Sequence, residues 1–96
     1  MDPITRIVIR HEKTTTGYSE LIARVDVSGE LVLDGCDAGA SVEETTGDWD
    51  YEYWVTVSPL FKDTVLLHLI KERFNSVHEM SEWLGSLGIP SKFMSY

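Results

Sequence analysis

A single cysteine, Cys36, stands among 96 residues, so the chain has no internal disulfide, and a reducing, cytoplasmic setting is expected. Glycine and proline are scarce, at 7 and 3 residues, which excludes collagen-like and low-complexity chains. No apolar run approaches the ~20 residues that a membrane span needs. Asp2 and Pro3 stand where a secretory leader would carry a basic segment and then an apolar run. Bases are few as well: 8 Lys and Arg against 16 Asp and Glu, a net charge of −8. That balance argues against direct binding to a nucleic-acid backbone or an anionic membrane. GxSxG, P-loop, HExxH and GxGxxG motifs are all missing, so no catalytic residue is assigned.

What remains is a globular composition, 43% hydrophobic and 25% charged, of a length that fits one domain over residues 1–96. Period-two alternation with β-branched and aromatic enrichment predicts four strands, over residues 4–11, 18–26, 30–34 and 50–58. Between the second and third, Val27-Ser28-Gly29 supplies a three-residue hairpin loop, with Gly29 where a left-handed residue belongs. That loop opposes Val25 to Leu31 and Ala23 to Leu33. Residues 35–49 read as a long connection with a helical turn around 38–45, able to carry the fourth strand to a non-adjacent edge. Two helices follow. Ser58-Pro59 opens the first, Ser76 with Glu79 forms a capping box for the second, and Gly88-Ile89-Pro90 ends it. The expected fold is α+β: a four-stranded antiparallel sheet with two C-terminal helices packed on its odd-numbered face. Leu21, Leu31, Leu33, Tyr53, Val55, Val57, Phe61, Val65, Leu69, Trp83 and Leu84 are the expected core.

Charge distribution is the main anomaly. Between Val25 and Phe61 there is no Lys, Arg or His, while Asp26, Glu30, Asp34, Asp37, Glu43, Glu44, Asp48, Asp50 and Glu52 all fall there. One explanation is a solvated face that keeps a small protein in solution. The other is a docking surface for a basic partner, where complementary charge speeds encounter and rejects wrong partners. Asp48, Asp50 and Glu52 alternate, so on a strand they repeat about every 6.8 Å. One strand of duplex DNA carries a charge per about 3.4 Å of axis. Imitating a nucleic acid therefore needs a second acidic row, which Glu30 and Asp34 supply only if their strand is a neighbour. Beside the first strand instead, Asp50 and Glu52 would merely face Arg6 and Arg10. Trp49, between two acids, and Trp54, with Val8, Ile22 and Val32, are candidate apolar anchors.

Metal ligation has little support. Asp34-Gly35-Cys36-Asp37-Ala38-Gly39 has glycine at the sixth position of a calcium loop, but Cys36 and Ala38 fall at ligand positions and Thr45 where a glutamate is needed. His11, His68 and His78 lack paired spacing. No cofactor and no metal are expected.

Leu33-Asp34-Gly35-x-Asp37-x-Gly39, then Gly47-Asp48-x-Asp50-Tyr51-Glu52-Tyr53-x-Val55-Thr56-Val57, and finally Trp83-Leu84 with Gly88-Ile89-Pro90 resemble a set of small uncharacterised bacterial proteins. These share a DGxDxG…DYEYxxTV…GIP layout; the shared motifs are turns and caps, and no activity comes with them. In size and acidity the chain is also similar to toxin-immunity proteins and to phage-encoded inhibitors of bacterial defence, anti-CRISPR proteins among them. The expected function is accordingly a non-enzymatic inhibitor or immunity-type protein docking on a basic partner, a nucleic-acid-binding protein being one candidate. Asp34, Asp37, Glu43, Glu44, Asp48, Asp50 and Glu52 would supply charge, with Trp49 and Trp54 as anchors. The alternatives are a small metal-dependent or Cys36-based enzyme and a homodimeric structural subunit.

Overall fold

A computed structural model describes residues 1–39 and 50–96. They group into two compact units, Ile4–Lys62 and Met1–Pro3 with Asp63–Tyr96. The class is α+β: a four-stranded antiparallel sheet followed by two C-terminal helices. The first unit holds β1 (Arg6–Thr14), β2 (Gly17–Val25), β3 (Leu31–Gly39) and β4 (Asp50–Val57), in the order β1-β2-β3-β4. Each strand thus pairs with its neighbour in sequence.

The β2–β3 turn forms as its residues dictate. Gly29 takes φ 85°, and its N–H donates to the Asp26 carbonyl at 3.0 Å. The Asp26 carboxylate accepts from the N–H groups of Ser28 and Glu30 at 3.0 and 2.9 Å and from the Ser28 hydroxyl at 2.8 Å. These bonds hold its carboxyl below the usual range, the Ser28 hydroxyl contributing most. Val25 then faces Leu31 and Ala23 faces Leu33. Between β1 and β2 the chain reverses over Thr15 and Thr16 without any positive φ. The Thr14 hydroxyl accepts from Thr16 N–H at 3.3 Å and lies 3.1 Å from the Gly17 carbonyl, doing for this turn what glycine does for the other.

β3 overturns part of the sequence reading. Instead of ending at Asp34 it runs on to Gly39, pairing Gly17–Leu21 of β2 on one side and Asp50–Tyr53 of β4 on the other. Gly35 and Gly39 lower strand propensity, yet close approach requires both. A methyl on Gly35 would collide with the Tyr53 ring, and one on Gly39, at φ 132°, with the Thr16 carbonyl. Residues 38 and 39 are therefore strand, and the rest of the expected helical turn lies outside the described residues.

We call even the side of the sheet that carries the even-numbered residues of β2, β3 and β4. In β1 the register slips between Val8 and Arg10, a bulge at Ile9. Beyond it the parity reverses: Arg10 pairs with Leu21 on the odd face, and His11 with Glu20 on the even one. The buried hydrophobics among the described residues are Ile22 at 8% and Val32 at 3% exposure. Both stand on the even face of central strands, with neighbours on each side. Of the expected core, Leu33, Val55, Phe61, Leu69 and Trp83 are exposed, and Leu21, Leu31, Tyr53, Val57, Val65 and Leu84 are half-buried. Leu33 lies on central β3 beside Val32 and is nevertheless exposed, so the two faces of the sheet are shielded unequally, which alternation along one strand does not reveal.

A short 3-10 turn, Pro59–Phe61, follows β4, with Ser58 Oγ accepting from Leu60 N–H at 3.2 Å. The second unit contains α1 (Lys62–Arg73, whose first residue belongs to the sheet unit) and α2 (Val77–Ser86). Glu79 N–H donates to Ser76 Oγ at 3.1 Å, while the Glu79 carboxylate reaches back to Asn75 N–H at 3.0 Å. That is a capping box displaced by one residue. At the other end Gly88, at φ 72°, donates to the Gly85 carbonyl at 3.1 Å, and Ile89 donates to that of Leu84 at 2.9 Å. These are the two bonds of a Schellman stop.

Candidate partner-binding face

The pairings define four cross-strand rows on the even face, the row of Arg6, Arg24, Val32 and Thr56 and three beyond it. Val8, Ile22, Asp34 and Trp54 form one, His11, Glu20, Cys36 and Glu52 the next, and Lys13, Tyr18, Ala38 and Asp50 the third. β4 thus lies beside β3 and across the sheet from Arg6 and Arg10, so Asp50 and Glu52 do not pair with those arginines. The His11 and Lys13 rows end on acids at β4, Glu52 and Asp50. Glu20 and Glu52 stand two strands apart, roughly 10 Å between backbones, with Cys36 between them. They border a shallow pocket of about 190 Å³ whose lining includes Ile22, Asp34, Cys36 and Trp54. Trp54 is 66% exposed.

Two ion pairs occur among the described residues. Arg24 Nε lies 2.6 Å from Asp34 Oδ2, and His11 Nε2 lies 3.8 Å from Glu20 Oε2, the latter an ion pair only when the imidazole is protonated. Asp34 therefore meets a cation of its own chain. Asp50 and Glu52 meet none among the described residues. Tyr18 OH lies 3.2 Å from Cys36 Sγ, and that bond is the main reason its phenol is pushed up to about 12.

Asp37 departs from the set. It points to the odd face, where Tyr53 OH donates to its Oδ2 at 2.8 Å. The Ser19 hydroxyl, then Tyr53, then the charge of Arg10 hold its carboxyl below the usual range, while the same bond raises the Tyr53 phenol. Arg10 Nε donates to Ser19 Oγ at 3.2 Å. Asp37 therefore stands in a polar network on the face opposite Asp50 and Glu52. The bulge at Ile9 brings Arg10 to it, and reading β1 without that bulge put Arg10 on the wrong face.

Of the nine expected partner-binding residues, Asp34, Asp50, Glu52 and Trp54 share the even face, with Asp34 neutralised. Glu43, Glu44, Asp48 and Trp49 lie outside the described residues. Glu20 joins the site although sequence reading omitted it. Its even position on the second strand was the available signal. Glu30 lies in the β2–β3 turn, where its carboxylate accepts from the Ser28 hydroxyl at 3.3 Å, so the second acidic row shrinks to Asp34.

Among the described residues no group of three or more His, Cys, Asp or Glu side chains could hold a metal ion, and no helix is long and apolar enough to cross a membrane. The helical unit has its own open groove of about 470 Å³, lined by Phe74, Val77, Met80, Leu84 and Phe93 among others. It is apolar and offers no convergent charge. Comparison of the chain with protein-family models, curated proteins and solved structures gives no match.

Proposed function

We propose that this chain is a non-enzymatic protein-binding module of the inhibitor or immunity type, acting in the cytoplasm by docking its even face on a cationic surface of another protein. One arrangement carries the reading. Glu20, Glu52 and the exposed Trp54 border one pocket, and Asp50 projects from the same face of β4. An arginine or lysine offered by a partner would find two carboxylates within reach and an indole face to cover its apolar stem. Such a cation–π contact contributes about 0.5–2 kcal/mol, depending on how far it is desolvated.

The spacing favours recognition of separate cationic side chains over a full imitation of duplex DNA. Asp50 and Glu52 repeat about every 6.8 Å, and the adjacent row contributes only Asp34, already paired with Arg24. A nucleic-acid-binding protein remains a natural partner, because its surface is already basic. An isologous dimer through the acidic end of this face would oppose like charges, which disfavours a second copy.

The test is affinity capture from the source cell with the wild-type chain beside Glu20→Gln/Glu52→Gln and Trp54→Ala variants, each washed over a salt series. A cationic protein should be retained at low salt, should elute as salt rises, and should be lost at least tenfold from both variants. A partner retained equally by all three chains would contradict the reading.

A further inference from the structure

The two edge strands of the sheet, β1 and β4, are built differently. β1 has a bulge at Ile9 and carries Arg6, Arg10 and Lys13. Bulges and charged side chains, lysine above all, are what blunt an edge strand against further pairing. β4 has neither bulge nor cation nor proline. It pairs with β3 without interruption from Ala38↔Asp50 to Leu31↔Val57. Among the described residues its other side makes no backbone hydrogen bond.

Edge amides and carbonyls alternate in direction, so about half of those in β4 point away from β3. The side chains that an added strand would meet are open as well: Tyr51 is 50%, Trp54 66% and Val55 60% exposed.

We infer that β4 is a strand-addition edge, and that its occupant is an extended, cationic segment of the partner protein. The inference rests on the docking proposed above and deepens it from a face to a pairing mode. Side chains directly opposite on adjacent strands lie about 4.5–5.5 Å apart at Cβ. A fifth strand with Lys or Arg at alternate positions would therefore set them beside Asp50 and Glu52 on the even face. Its intervening apolar residues would meet Tyr51, Val55 and Val57 on the odd face. Backbone pairing supplies affinity and the alternation supplies selectivity. A second copy is the weaker occupant. Its own basic strand is the bulged one, head-to-tail addition leads to open filaments rather than a closed assembly, and a charge of −8 opposes self-association.

The probe is a capped eight-residue peptide of alternating lysine and valine, matched to the eight residues of β4. Controls carry glutamate in place of lysine, or N-methyl groups on alternate residues. Amide hydrogen exchange is read residue by residue along β4. With the lysine peptide at ten times its Kd, the outward amides of β4 should slow about tenfold. The glutamate and N-methyl controls should give no such protection, and Asp50→Lys/Glu52→Lys should reverse the preference between the two charged peptides.

Lysine-peptide binding that leaves the outward β4 amides unprotected would overturn strand addition while leaving the docking face intact. Equal protection by the lysine and glutamate peptides would remove the cationic partner while keeping the edge. No binding of the lysine peptide would overturn the inference, as would growth in mass with protein concentration when no peptide is present.

Discussion

Asp37 illustrates how far one side chain's role depends on neighbours that its local sequence does not announce. Ser19, Tyr53 and Arg10 come from three other strands, and together they depress the Asp37 carboxyl. A carboxyl whose pKa is lower folded than unfolded stabilises the fold fully above its ordinary value, here 3.8, and that contribution disappears as pH falls through the lowered value. Melting temperatures taken through the acid range should therefore fall less steeply for Asp37→Asn than for the wild type. Tyr53→Phe, which removes a donor to the carboxylate, should flatten the acid limb in the same direction. Parallel curves for all three chains would contradict the assignment. The adjacent Gly35 is another residue-scale necessity, since Tyr53 can reach Asp37 only by lying where a Cβ on Gly35 would stand.

Among the elements, the β2–β3 hairpin and the ends of α2 were legible because their chemistry is local. Gly29 adopts the left-handed conformation that a three-residue loop requires, and the turn geometry then sets the register. Replacing Gly29 with alanine should cost about 1–2 kcal/mol, the penalty for a Cβ in that region. A lowered urea midpoint with an unchanged slope would express it; an unchanged midpoint would mean that the turn does not need φ 85°. The second half of β3 was not legible, because Gly35 and Gly39 weaken the strand signal while serving contacts made by Tyr53 and by the β1–β2 turn. Nor was the bulge at Ile9, which leaves no mark in the alternation of β1 and yet decides on which face Arg10 and His11 stand. The order of the strands was equally beyond alternation. It is this order that separates Asp50 and Glu52 from Arg6 and Arg10, and that leaves β4 at an edge.

Across the whole molecule the acidity visible in composition resolves into unlike parts. Asp26 and Asp37 are held in turn and network hydrogen bonds, and Asp34 is matched by Arg24. On the even face of the sheet, the two carboxylates of β4, Asp50 and Glu52, meet no cation among the described residues. Both proposals draw on this placement of acids at the β4 end of the His11 and Lys13 rows. Its direct test is a titration of the full chain with a capped tetra-arginine peptide, followed by backbone and indole NMR shifts. The account predicts saturable shifts at Glu20, Glu52 and the Trp54 indole N–H, weakening severalfold as salt is raised from low to physiological concentration. Shifts scattered over the surface, or concentrated in the groove around Phe74 and Phe93, would contradict it.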